Sequence, residues 1–210
     1  MRITKYTHAC LRIEHSGGVL VIDPGVFSEP EALEGADAVL ITHEHVDHVD
    51  IDKLRAAAAH QPALTVHTHP DVEATLTDLD ADVFPVSPGD TFVAAGMTVR
   101  AHGGQHAVIH PDIPRIVNVG FTIDGPDGPI YHPGDSYFVP DEQIATLFVP
   151  VSAPWLRLAE AIDFARAVKP ERAFALHDSL YVEAGQQMVT GHMTRLSGTH
   201  YTRLDPGTTI

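Results

Sequence analysis

The chain has 210 residues, 44% of them apolar, enough for one compact domain with a substantial core and too many for a disordered protein. It carries 28 acidic residues against 13 basic ones, a formal charge of -15, and no basic run, which argues against a nucleic acid or an anionic membrane as partner. Cys10 is the single cysteine, so an internal disulfide and a cysteine-based zinc site are both excluded.

In chain order, residues 1–6 lack the apolar centre of a signal peptide, and no apolar run approaches the ~18 residues of a membrane span. A cytoplasmic protein is the expectation. Residues 2–6 and 9–14 alternate and read as strands. Gly17-Gly18 marks a tight turn before a buried strand over 19–22, which Asp23-Pro24-Gly25 ends. The apolar stretch 37–41 is the next strand. A helix is predicted over 50–60, with Asp50 as N-cap and Asp52 placed to complement the helix dipole.

A short strand follows at 64–66, then a helix over 71–79 begun by Pro70. Strands are predicted at 83–86, 91–95 and 97–101, the last running into His102-Gly103-Gly104-Gln105-His106. A strand over 115–124 and a short one at 130–132 lead to Pro133-Gly134-Asp135-Ser136. Residues 144–151 are strand-like. Leu158, Ala161, Ile162, Ala165 and Val168 recur at helical spacing until Pro170. A strand over 172–176 delivers His177-Asp178, and a last helix runs from about 181 to 194. No linker, low-complexity tract or charge run divides the chain, so residues 1–210 read as a single mixed α/β domain.

The chemistry concentrates at the exit of the strand over 37–41, in Thr42-His43-Glu44-His45-Val46-Asp47-His48. In an extended segment residues i and i+2 point the same way, so His43 and His45 can converge on one ion. Asp47 and His48 lie where the chain turns and can face a second ion, with Glu44 and Val46 pointing away. Ligand-type residues at this density, after a buried-type strand, favour a metal site over a polar surface loop. Three further ligand-type residues, His106, Asp135 and His177, also stand at the ends of apolar strands.

The loop is the His-x-His-x-Asp-His signature, and with His106, Gly134-Asp135 and His177 following in order the chain resembles the metallo-β-lactamase superfamily over nearly its whole length. Its opening, a strand, His8, a strand, a turn, a strand and Asp-Pro-Gly, is similar to the branch of L-ascorbate-6-phosphate lactonase. The resemblance implies an α/β four-layer αββα sandwich, two mixed sheets flanked by helices. It implies that His43, His45 and His106 hold one metal, that Asp47, His48 and His177 hold a second, and that Asp135 bridges both. Asp23 then supports the metal loop from behind, beyond its ordinary role as a turn former, and Thr42 and Asn118 fix ligand geometry. His8 is the candidate for substrate contact or transition-state stabilisation. Asp47 is the candidate base on the attacking water where a single metal is bound. His102 and His110 read as loop residues, His132 as structural, and Trp155 as core or pocket wall. Ser136 stands where the family often has Thr, and keeps the hydroxyl.

The implied function is a hydrolase with two divalent ions, zinc first, with manganese or iron compatible with the same ligands. A hydroxide held by the metals would attack an ester, lactone or phosphoester of a small molecule. The alternative is a mononuclear iron enzyme handling oxygen or persulfides. Nucleic-acid processing, a glyoxalase-II-type thioesterase and a non-catalytic metal protein fit less well, because of the acidic charge, the short stretch after His177 and the complete ligand set. A homo-oligomer is compatible with all of this.

Overall fold

A computed structural model describes residues 1–210. The first sheet is a meander that turns parallel. Strands β1 (Arg2–Lys5), β2 (Leu11–His15) and β3 (Gly18–Ile22) pair antiparallel; β4 (Ala38–Ile41), β5 (Thr65–Thr68) and β6 (Asp82–Pro85) then follow in parallel. Helix α1 (Ile51–His60) crosses between β4 and β5. Asp50 caps it as expected, its carboxylate accepting from the backbone of Asp52 and Lys53. Between β5 and β6 lies α2 (Pro70–Glu73), a single turn.

The second sheet follows the same plan. Strands β7 (Thr91–Ala94), β8 (Met97–Gly103), β9 (Val119–Ile123) and β10 (Ile130–His132) pair antiparallel. Strands β11 (Thr146–Pro150), β12 (Arg172–Leu176) and β13 (His200–Thr202) continue in parallel, with α3 (Leu158–Val168) and α4 (Glu183–Leu196) as crossovers.

Side-chain alternation explains why these elements stack as four layers. Leu20, Ile22 and Leu40 point inward and meet Val99, Phe121, Phe148 and Leu176 of the other sheet in one buried cluster. Their neighbours Val21, Val39 and Ile41 point outward and pack on Leu54, Ala57 and Ala58 of α1. On the far side, Leu147, Val149, Ala173 and Ala175 pack on Ala161, Phe164 and Ala165 of α3 and on Val189 and Met193 of α4. Period-two strands buried on both faces require exactly such covers of helix on each side. The αββα sandwich of two mixed sheets is therefore present.

Three elements depart from expectation. The helix predicted over 71–79 stops at Glu73, because Thr and Asp crowd the segment after it and the Thr75 hydroxyl bonds back to the Val72 carbonyl at 2.7 Å. The strand predicted over 115–124 is regular only over Val119–Ile123, although the Asn118 and Ile116 carbonyls still accept from the Gly104 and His106 N–H groups, both at 3.0 Å, and the Asn118 side chain bonds the Pro133 carbonyl and the Asp135 N–H. The tail forms β13 and then pairs with β1, through the bridge between Thr4 and Thr209.

The sheets present the C-terminal ends of β1, β3, β4, β8, β10 and β12 at one rim. Backbone bonds stitch the rim together: the Val119 N–H donates to the Thr42 carbonyl at 2.9 Å, and the His177 N–H to the His8 carbonyl at 3.2 Å. No helix is long and apolar enough to cross a membrane.

Candidate metal centre

Each strand end at that rim delivers one polar group: His8 after β1, Asp23 after β3, residues 42–48 after β4, His106 beyond β8, Asp135 beyond β10 and His177 after β12. Holding them there takes unusual backbone. His8, Asp23 and His177 have φ of 67°, 49° and 61°. Left-handed residues with a Cβ cost roughly 1–2 kcal/mol each, and such strain collects at functional sites. Gly134, at φ 61°, lies so close to Thr42 and Asn118 that a Cβ there has no room.

The ligand-type atoms fall into two groups, each within 4.8 Å. One is His43, His45, His106 and Asp135; the other is His8, His48 and His177. Asp135 divides its carboxylate between them. Its Oδ2 is 3.2 Å from His106 Nε2, while its Oδ1 is 3.1 Å from His48 Nε2 and 3.0 Å from His177 Nε2. His43 Nε2 and His45 Nδ1 face one another at 3.1 Å. Six of the seven residues named as ligands from the sequence fall in these two groups, and His8 stands in the second where Asp47 was expected. Asp47 sits at the margin, its Oδ2 3.9 Å from His48 Nε2 and 3.0 Å from His8 Nε2. His8 is fully buried rather than open to a substrate, and it stacks on His177 at 4.1 Å.

The far nitrogens of His43, His48 and His106 are held from behind, while His177 Nδ1 is buried without a partner. Asp23 accepts from the Thr42 N–H and hydroxyl, both at 2.8 Å, and from His48 Nδ1–H at 2.7 Å. With its own proton on Asp23, the Thr42 oxygen is free to accept from His43 Nδ1 at 2.9 Å. His106 Nδ1–H donates to the Ala107 carbonyl at 2.6 Å. These bonds assign the protons to Nδ1 and turn bare Nε2 lone pairs inward. His48 Nε2, His106 Nε2, His177 Nε2 and Asp135 Oδ1 are buried without a hydrogen-bond partner, although they lie near one another. Buried polar atoms are ordinarily paired. Lone pairs that converge but do not bond one another are the donor set of a divalent cation, so the residues fit a metal.

The metal-loop signature and its surroundings match a known domain. The family description "Beta-lactamase superfamily domain" fits residues 2–177. The chain belongs to this superfamily, in its metallo-β-lactamase-fold form. It is 37% identical over 204 residues to protein Rv0786c of Mycobacterium tuberculosis, covering 96% of this chain and 95% of that one. It is 28% identical to a UPF0173 metal-dependent hydrolase of Myxococcus xanthus, covering 94% and 78%. Among solved structures, the isothiocyanate hydrolase from Delia radicum gut bacteria superposes with a TM-score of 0.78 at 17% identity, covering 100% and 98%, which is a likeness of fold.

The charges of these side chains are mutually arranged. Burial pushes His8 down to about 4, against the pull of Asp47, so its ring is neutral near pH 7. Burial, and then the neighbouring His48 charge, hold His43 well below the usual imidazole range. Burial lowers His48 as well, but Asp135 on one side and Asp23 on the other outweigh it, and the net shift is well upward. For Asp135 and Asp47 burial favours the neutral acid. His177 and His48 overcome this at Asp135, and the His8 hydrogen bond and His48 overcome it at Asp47, so both carboxyls end below their usual range.

Several functional contacts were not legible beforehand. The Trp155 indole N–H donates to Asp135 Oδ2 at 2.9 Å. Ser179 Oγ lies 3.0 Å from His8 Nδ1, completing a chain from Ser179 through His8 to Asp47. Asp178, next to His177, is pinned by buried Lys5 at 3.1 Å and by Arg203 at 2.7 Å. A cleft of about 930 Å³ opens beside the centre, with Gln105, Arg115, Ser136, Phe138 and Trp155 among its walls. His102 lies on β8, bonded to Thr122 and close to Glu142, while His110 is exposed. Buried His132 lies 2.8 Å from the Ala9 carbonyl.

Proposed function

We propose that this protein is a metal-dependent hydrolase acting on an ester, lactone or phosphoester of a small molecule. The observation that carries the reading is the split carboxylate of Asp135, one oxygen beside each group of imidazoles. In this reading His43, His45 and His106 hold one divalent ion, Asp47, His48 and His177 a second, and Asp135 reaches both. Zinc suits the imidazole and carboxylate set, with manganese or iron as the other candidates. Such ions supply a water acidified to a pKa of about 7 and a Lewis acid for the oxygen of the bond being cleaved.

The chain's own residues do the rest. Asp23 and Thr42 fix the rings of His48 and His43, so that neither imidazole has to rotate when an ion arrives. His8, neutral and anchored by Ser179, donates Nε2–H to Asp47 and keeps that carboxylate ionised and aimed. Asp47 is half-buried, and where a single ion is bound it is the candidate to accept a proton from an attacking water. Trp155 steadies the shared carboxylate from the cleft side.

The experiment is metal analysis of the purified protein, followed by a screen of the zinc-loaded protein against lactones, phosphomonoesters, phosphodiesters and β-lactams. The resemblance of the opening segment to the lactonase-like branch puts lactones first. Turnover that is lost with chelation and restored with zinc supports the reading. Iron as the sole bound metal, with oxygen uptake and no hydrolysis, overturns it in favour of a redox enzyme.

A further inference from the structure

We propose that the cleft beside the metal centre takes an anionic amphiphile, with Arg115 as the residue that binds its oxyanion group, a carboxylate or a phosphate. This rests on the hydrolase reading and names the substrate class of the same site. The chain has only 13 basic residues against 28 acidic ones, so a cation without a counter-charge beside the centre stands out. Arg115 has no carboxylate within 4.0 Å; its Nε–H donates to the His106 carbonyl and its NH1 to Gln105 Oε1 at 2.6 Å, both neutral acceptors. Its other terminal nitrogen finds no acceptor in the protein. The guanidinium is therefore oriented but not neutralised, which is the state in which its planar fork recognises an oxyanion.

Its position is equally specific. Arg115 lines the large cleft and also a small cavity whose other walls include His45 and His106. The second arginine of the cleft, Arg157, is offset by Glu160 at 4.0 Å, so Arg115 supplies the net positive charge. Around it Val108 and Phe138 are large apolar side chains left 54% and 43% exposed, and Trp155 closes the wall towards Asp135. Exposed apolar groups gathered at a cleft mark a surface meant to be covered. A substrate that covers them and also satisfies Arg115 has an apolar body and an oxyanion, with the bond to be cleaved at the metals.

Trp155 is the only tryptophan, so its fluorescence reports on this cleft without any turnover. The probes are 4-phenylbutyrate, 3-phenylpropyl phosphate and the neutral 4-phenylbutanol, titrated into zinc-loaded protein. The anions are expected to bind about tenfold tighter than the alcohol. Arg115→Gln should lower anion affinity about tenfold and leave the alcohol unchanged, whereas Arg157→Gln should change neither. Arg115→Lys, which keeps the charge, should retain part of the preference, and so separates loss of the charge from disturbance of the His106 loop. The stronger of the two anions tells carboxylate from phosphate. An anion preference that survives Arg115→Gln with zinc still bound, or equal binding of the alcohol, overturns the proposal. Absence of turnover on every substrate would count against the hydrolase reading alone.

Discussion

Asp23→Asn replaces one oxygen by nitrogen at a fully buried carboxylate that accepts three hydrogen bonds. Asparagine offers one acceptor oxygen there, and its NH2 is a donor. With the oxygen kept towards the Thr42 N–H, the NH2 faces the Thr42 hydroxyl and His48 Nδ1–H, two donors already in place. A stranded buried donor costs about 1–3 kcal/mol. The hydroxyl can rotate to relieve one clash, which leaves one stranded donor and a loss of about 1–3 kcal/mol. For a chain of this length that lowers Tm by roughly 2–12 °C. The effect on metal has a different origin. Without a carboxylate at Nδ1, the proton of His48 is free to move to Nε2, the nitrogen beside Asp135, and losing such a supporting partner costs about 10–100-fold in affinity. Thermal melts of chelated protein read the first effect, and zinc titration against a competing chromophoric chelator reads the second. If Asp23→Asn kept both Tm and zinc affinity, the assignment of protons to Nδ1 would be wrong.

Other outcomes follow from the same contacts. In metal-free protein the depressed carboxyls of Asp47 and Asp135 give stability that is full above about pH 4 and is lost as pH falls through their lowered values. Urea midpoints across the acid range should show this limb, and Asp47→Asn should flatten it. His48 has the opposite sign: its raised value gives stability that is full below about pH 6.5 and is lost as pH rises through that value. Zinc must displace the extra proton, so calorimetry in buffers of different ionisation enthalpy should detect proton release, and zinc affinity should fall with acid. Trp155→Phe removes one donor from Asp135 and should cost about 1–3 kcal/mol of metal-free stability, read by urea denaturation followed by circular dichroism; no change would mean the bond is idle. Leu40→Ala, between the sheets, should cost about 2–5 kcal/mol without altering zinc affinity, and serves as a control for loss of fold.

The gathering of the candidate ligands could be read from sequence because each stands at or just beyond the exit of an apolar strand, and strand exits of parallel neighbours gather at one rim. The unbroken apolar runs of β3 and β4 likewise read as buried strands, since a strand covered on both faces has no polar side to alternate. What escaped reading depends on tertiary approach. Trp155 and Arg115 are each a lone residue in an irregular segment, and only the fold brings one to Asp135 and the other to His106. The burial of His8 was equally hidden, because nothing in its neighbours reveals the left-handed turn that sets it between Asp47 and Ser179.

The most direct test of the shared-carboxylate account is the count of divalent ions per chain in wild type and in Asp135→Ala, by mass spectrometry of the metal-loaded proteins. Two ions in the wild type, with both weakened together in the variant, is the expected result. A variant that retains its full complement at wild-type affinity would contradict the claim that Asp135 joins the two groups.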